Sequence, residues 1–261
     1  MYSLKNKIVF ITGASSGIGA SCAVRFAQEG AKLLLAARRM EKLDAFAGGL
    51  RKKYSVDIHA FNLDVRRRTE VESAINALSN EWKKISVLVN NAGLASGMAT
   101  IQEGDVDDWE RMIDTNVKGL LYVTRAVVPG MIQRGEGHII NIGSIAGYQY
   151  YPKGNVYCAT KAAVNALTSS IRLDLNGTPI RVSTIDPGLV ETEFSMVRFH
   201  GNKERAGKTY EGMTPLTPDD IADAVLYCAT RSPHVNIQQV VLTPTDQAST
   251  TMVHRKQVMQ K

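Results

Sequence analysis

Tyr157 and Lys161 stand four residues apart in the run Val156-Tyr157-Cys158-Ala159-Thr160-Lys161-Ala162-Ala163-Val164. The run reads as the first turns of a helix, so both side chains lie on one face. A free phenol ionises near pH ~10 and is a poor proton donor or acceptor at neutrality. An ammonium held beside it favours the phenolate and lowers that pKa. A phenol tuned in this way suits general acid–base chemistry on a carbonyl or an alcohol. Such a pair is also common on solvated helix faces, so its meaning depends on the elements that position it.

Short apolar runs alternate with helical patterns along the whole chain. Strands are expected at Lys7–Ile11, Lys32–Ala37, His59–Leu63, Val87–Asn90, His138–Ile142, Ile180–Ile185 and Val240–Leu242. Helices are expected over about 17–29, 40–54, 68–79, 106–131, 156–175 and 219–230. Near-continuous apolar strands separated by helices mean a parallel sheet covered on both faces. Seven of them predict an α/β fold: a doubly wound, parallel, seven-stranded sheet of Rossmann type, forming a single domain over residues 1–261. The segment of about 188–218 breaks the rhythm. It is long, rich in charge and turn residues, and carries a short amphipathic stretch at Phe194–Phe199, which predicts a substrate lid at the carboxyl end of a strand. A C-terminal tail follows at about 246–261.

Composition narrows the function classes. A hydrophobic content of 44% and a charged content of 21% are those of a soluble globular protein. No apolar run approaches the ~18 residues of a membrane span. With the first strand starting at Lys7, no secretory leader is expected and the cytoplasm is the expected location. The net charge is +6, but the basic clusters Arg51-Lys52-Lys53 and Arg66-Arg67-Arg68 are short. No aromatic residues alternate with them as a nucleic-acid stacking platform requires. They read as solvated helix ends, and the excess charge suits an enzyme that captures a polyanionic cofactor. Cys22, Cys158 and Cys228 are odd in number and lie in helical patterns, as reduced packing thiols do. The five histidines show no ligand spacing, so no metal site is expected.

The first strand runs into Thr12-Gly13-Ala14-Ser15-Ser16-Gly17-Ile18-Gly19 and then a helix. Glycines there permit a tight turn and close approach of the backbone to a pyrophosphate at the helix N-terminus. The second strand distinguishes the nicotinamide cofactors. An NAD site needs an acid at its end for the ribose 2′-hydroxyl. This strand ends Ala36-Ala37-Arg38-Arg39, with no acid and two guanidinium groups suited to a 2′-phosphate. NADP is the expected cofactor.

These segments, in this order, resemble the short-chain dehydrogenase/reductase family in its single-domain form, over nearly the whole chain. The resemblance implies a cofactor loop of Gly13, Ser15, Ser16, Gly17, Ile18 and Gly19, with Arg38 and Arg39 at the second strand. It places Asp64 and Val65 at the adenine ring, and Asn91, Ala92 and Gly93, from the Asn90-Asn91-Ala92-Gly93 motif, along the cofactor cleft. Pro187, Gly188, Val190 and Thr192 match the segment that meets the nicotinamide, and Tyr157 and Lys161 also touch the cofactor. Asn116, Ser144, Tyr157 and Lys161 match the family's catalytic tetrad: Tyr157 as acid–base group, Ser144 as oxyanion donor, Lys161 on the ribose and Asn116 at a proton-relaying water. A cofactor-binding regulator without turnover would tolerate loss of Ser144 or Tyr157, and both are present.

The C-terminal third is similar to the NADP-dependent 3-hydroxy acid dehydrogenases, through Gly188-Leu189-Val190-Glu191-Thr192-Glu193-Phe194-Ser195-Met196-Val197-Arg198-Phe199, Pro215-Leu216-Thr217-Pro218-Asp219-Asp220 and Val253-His254-Arg255-Lys256. That resemblance implies serine, allo-threonine or 3-hydroxypropionate-type substrates and a homotetramer. Some relatives carry arginine where this chain has Tyr148, which keeps a broad carbonyl reductase of neutral ketones or aldehydes open as the alternative. Tyr151 and Arg198 are the substrate candidates. Arg198 is read either as the partner of a substrate carboxylate or as a brace on Glu191 or Glu193 within the lid.

Overall fold

A computed structural model describes residues 2–256. Seven strands form one sheet: β1 (Ile8–Thr12), β2 (Lys32–Ala37), β3 (Ile58–Asn62), β4 (Ile85–Asn90), β5 (Gly137–Ile142), β6 (Ile180–Pro187) and β7 (Gln239–Leu242). All pairings are parallel, and the spatial order is β3-β2-β1-β4-β5-β6-β7. The order reverses between β1 and β4, and the crevice at their carboxyl ends is where a doubly wound sheet takes a ligand.

Strand periodicity explains the two-sided core. In β1, Val9 and Ile11 point to one face, while Ile8 and Phe10 point to the other. The first face is covered by α1 (Gly17–Gln28), α2 (Met40–Tyr54) and α9 (Pro218–Ala229), with Phe26, Leu43 and Val225 packed on Leu33, Leu35 and Val89. The second is covered by α3 (Arg68–Ala77), α5 (Leu120–Arg134) and α6 (Asn155–Asp174), with Val71, Val127 and Met131 packed on Leu34, Leu88 and Ile139. Both faces are therefore apolar, which is why the strands read as runs rather than alternations. Cys22, Cys158 and Cys228 are all buried free thiols, on α1, α6 and α9. No described helix is long and apolar enough to cross a membrane.

The expected elements are present with ends shifted by a few residues; two regions differ in kind. The helix expected over 106–131 is interrupted. α4 (Val106–Ile113), capped by Asp105, leads into a π-helical stretch, Asp114–Gly119, and only then into α5. Widened turns of this type recur at functional sites. Here the turn carries Asn116 into the interior, where its amide meets the backbone of Leu94.

The excursion between β6 and α9 holds two short helices, not one: α7 (Phe194–Arg198) and α8 (Lys203–Lys208), the second capped by Asn202. The described part of the tail folds back on it. Lys256 N–H donates to the Gly212 carbonyl at 2.8 Å, and Arg255 donates to the carbonyls of Glu211 and Thr209. Residues 257–261 of the expected tail lie outside the described residues.

Candidate active site

The carboxyl ends of β1, β4, β5 and β6 open into one cavity of about 660 Å³. Every expected cofactor residue except Gly19 lines it, together with Ser144, Tyr157, Lys161, Tyr151 and Arg198. Gly19 acts from behind. A side chain there would overlap Asn91 Nδ2 and the Gly13 carbonyl. Asn91 Nδ2 itself donates to the carbonyls of Thr12 (2.9 Å) and Gly13 (3.2 Å), and so ties the β1 turn to β4. The turn is thus held open against α1 by close backbone packing, a cradle suited to a pyrophosphate. Thr12 Oγ1 accepts from the N–H groups of Asn91 and Ala92, which fixes the opposite wall.

At the adenine end, Arg39 Nη2 donates to Ser16 Oγ at 2.7 Å and to Glu193 at 2.9 Å. Lys42 also reaches Glu193, at 2.5 Å, and these two cations pull the Glu193 carboxyl down to about 2, Lys42 contributing most. Arg38 has no ion pair among the described residues. Asp64 is held by the guanidinium of Arg66, which keeps its carboxyl below the usual range. Two basic side chains and a serine hydroxyl around one corner, without a ribose-binding acid, fit a 2′-phosphate.

The chemical end is built by three elements. Ser144 follows β5 and caps a short 3-10 turn, Ile145–Gly147; its Oγ donates to the Pro187 carbonyl at 3.3 Å and accepts from Ala146 N–H at 3.1 Å. α6 presents Tyr157 and Lys161 on one face. Lys161 Nζ donates to the Ile142 carbonyl at 2.9 Å and lies 6.0 Å from the Tyr157 ring centroid. The tuning of Tyr157 departs from expectation. Burial pushes its phenol well above 10, and Tyr151 adds to the rise, while Arg198 and Ser144 oppose it. Desolvation of the phenolate outweighs the ammonium in the protein without cofactor. Lys161 is itself lowered to about 8 by burial, with Asp186 opposing.

Asn116 sits in the π-helical stretch, beside the helix that carries Tyr157 and Lys161. Its Oδ1 accepts from Leu94 N–H at 2.8 Å, and its Nδ2 donates to the Leu94 carbonyl (2.8 Å) and Thr160 Oγ1 (3.0 Å). Both amide donors are engaged, so the side chain braces the β4 exit against the helix that carries Tyr157 and Lys161.

Arg198 settles on neither acid of its own segment. Its Nη2 donates to Tyr151 Oη at 2.6 Å, and its guanidinium carbon lies 5.4 Å from the ring centroids of both Tyr151 and Tyr157. Its Nε is buried with no hydrogen-bond partner among the described residues. The segment is clamped around it. Gly97 N–H donates to the Arg198 carbonyl at 2.9 Å, and His200 Nε2 lies 3.0 Å from Asp108 Oδ2, whose other oxygen takes Ser96 Oγ at 2.5 Å. Sequence reasoning missed Asp108, His200 and the wall residues Phe194 and Gln247. Phe194 packs edge-on to Tyr157 at 5.7 Å, and Gln247 Oε1 accepts from Leu189 N–H at 2.8 Å. Only the acidic cap run before α4 and the lone lid histidine hinted at the first pair.

Known proteins match this arrangement closely. The short chain dehydrogenase family matches residues 7–203. The chain is 50% identical to the NADP-dependent 3-hydroxy acid dehydrogenase of Salmonella typhi over 250 residues, covering 95% of this chain and 99% of that one. It is 44% identical to sulfoacetaldehyde reductase 2 of Chromohalobacter salexigens, over 92% of this chain and 95% of that one. The closed form of a serine dehydrogenase complexed with NADP+ superposes with a TM-score of 0.89 at 47% identity, covering 95% of this chain and all of that one. With its glycine turn, β4 motif and Ser–Tyr–Lys set all gathered at one switch point, the chain belongs to the short chain dehydrogenase family.

Proposed function

We propose that the protein is an NADP-dependent oxidoreductase that moves a hydride between NADP(H) and a small 3-hydroxy acid or its 3-oxo counterpart, of the serine, allo-threonine or 3-hydroxypropionate type. The observation that carries the acid preference is the unpartnered, buried Nε of Arg198, beside the rings of Tyr151 and Tyr157. A buried guanidinium donor left unpaired is costly, and a carboxylate is the group that fits its fork. Two of the matched relatives are named for substrates that bear an anionic group, a hydroxy acid and a sulfonate-bearing aldehyde, which supports the same reading.

The residues divide the work as follows. Gly13, Ser15 and Gly17 would cradle the pyrophosphate, Arg38, Arg39 and Ser16 would take the 2′-phosphate, and Thr192 would meet the nicotinamide. Bound NADPH supplies the hydride. Tyr157, kept protonated by its burial, gives its proton to the carbonyl oxygen as negative charge builds there. Ser144 donates a second hydrogen bond to the same oxygen. Lys161, an ammonium below about 8, balances the tyrosinate that remains. In oxidation the roles reverse: Tyr157 must first lose its proton, so the oxidative rate rises with pH.

Segment 188–218 is the lid. His200 on Asp108 and the tail contacts to Gly212 hold it shut, with Arg198 over the substrate. Replacing Arg198 with methionine is expected to raise KM for a 3-hydroxy acid by about ten- to a hundredfold, the value of one charge-assisted hydrogen bond, and to leave its methyl ester nearly unchanged. Steady-state kinetics on the two substrates decide it. Equal losses for acid and ester would mean that Arg198 only braces the lid, and would favour the broad carbonyl reductase.

The working form is a cytoplasmic homotetramer without nucleic-acid or membrane partners. Exposed Val106, Ile113, Leu121 and Ile132 along α4 and α5 are apolar side chains a partner would cover. Light scattering is expected to return four times the chain mass of 28.5 kDa; a value near one chain rejects the tetramer.

A further inference from the structure

Asp186, near the carboxyl end of β6, is fully buried and has no part in the chemistry described so far. Its Oδ1 accepts from Thr184 Oγ1 at 2.7 Å and its Oδ2 from Gln239 Nε2 at 2.5 Å. Burial raises its carboxyl, and the Gln239 and Thr184 donors oppose that rise and favour the ionised form.

The space for it is made by residue 143. A side chain on Gly143 would overlap Asp186 Oδ1. The same short segment, Ile142–Gly143–Ser144, is gripped at its start by Lys161, whose Nζ donates to the Ile142 carbonyl at 2.9 Å. The segment that carries Ser144 is thus held between a buried anion and a buried cation. Lys161 is 7% exposed, and this carbonyl is its one hydrogen-bond partner among the described residues. A buried ammonium with a single neutral acceptor requires a counter-charge. Asp186 is the charged group that acts on it, and Tyr148, raised to about 12 by burial and by Asp186, is the other titratable group facing that carboxylate.

We propose that Asp186 is a positioning residue for the catalytic set: packed against Gly143, its carboxylate is the fixed counter-charge that keeps Lys161 an ammonium on the neighbouring Ile142 carbonyl. The reading rests on the assignment of Ser144, Tyr157 and Lys161 to carbonyl reduction. The charge on Lys161 can nonetheless be measured without turnover.

The test is Asp186→Asn, of equal size and uncharged. In the free protein, trace acetylation of Lys161 across a pH series, read by mass spectrometry of its peptide, reports the midpoint at which the amine loses its proton. The midpoint is expected to fall by about one pH unit or more, the scale of an adjacent opposite charge. The alkaline limb of kcat for NADPH-dependent reduction should move down by the same amount, while KM for NADPH measured well below that limb stays as in the parent. Gln239→Leu removes one donor from the carboxylate and should shift both readouts the same way by less; it decides the matter alone if Asp186→Asn does not fold. An unmoved Lys161 midpoint in a folded variant overturns the proposal. A moved midpoint in a protein that reduces no carbonyl compound would overturn the functional assignment and leave the influence of Asp186 on Lys161 standing.

Discussion

Tyr157→Phe is expected to lower kcat by at least about a hundredfold, the lower range of what a positioned general acid contributes, while NADPH still binds. The substitution keeps the ring that packs edge-on to Phe194 and lies beneath Arg198, and removes only the hydroxyl. Stability should therefore change little, and the loss should sit in the chemical step. The parent's pH profile completes the case. Because burial raises the phenol, Tyr157 is a proton donor throughout the neutral range. Reduction should be level there and decline as Lys161 titrates near 8, whereas oxidation should climb through the same range. Stopped-flow or steady-state rates in both directions, with cofactor binding followed by fluorescence, are the measurements. Near-normal turnover by the phenylalanine variant would remove Tyr157 from its role.

The second large effect is on cofactor choice. Arg38→Ala/Arg39→Ala is expected to lose about ten- to a hundredfold in NADPH affinity, and most of its preference over NADH, the equivalent of one charge-assisted bond at roughly 1.5–3 kcal/mol. The two positions are not equivalent. Arg39 is partly occupied by Glu193 and Ser16, whereas Arg38 has no ion pair among the described residues. The single Arg38→Ala variant should accordingly carry the larger share. Calorimetric titration with both cofactors checks this, and an unchanged NADPH affinity in the double variant would refute the assignment.

Strand identity was legible because both faces of the sheet are covered. Apolar runs such as Ile8–Ile11 and Leu33–Leu35 have no other use in a chain of this composition. The cofactor turn was legible in part for a local reason: a side chain at position 19 would overlap the Gly13 carbonyl of the same turn. Features that depend on long-range contact were not. The π-helical stretch at Asp114–Gly119 looks like ordinary helix in sequence, and what marks it is a contact between Asn116 and a loop more than twenty residues earlier. The direction of the Tyr157 shift also could not be read from the Tyr–Lys spacing. Spacing places the ammonium nearby, but burial by Tyr151, Phe194 and the lid is a tertiary property. The same holds for Arg198, whose acidic neighbours in sequence, Glu191 and Glu193, are not its neighbours in space; Glu193 turns to Arg39 and Lys42 instead.

The strand order bears on how the chain is made. β1 pairs with β2 on one side and β4 on the other, so the phosphate cradle and its arginines come together once Ala92 has left the ribosome. Tyr157 and Lys161 have not yet been synthesised at that point, and at ~5–20 residues per second they follow on the order of seconds later. During that interval β4 presents Val87, Leu88 and Val89 as an open edge awaiting β5. An unpaired apolar edge is where one nascent chain joins another. A ligand that binds the folded sheet and not the unfolded chain favours the folded form by mass action, and the cofactor site lies on the first strands made.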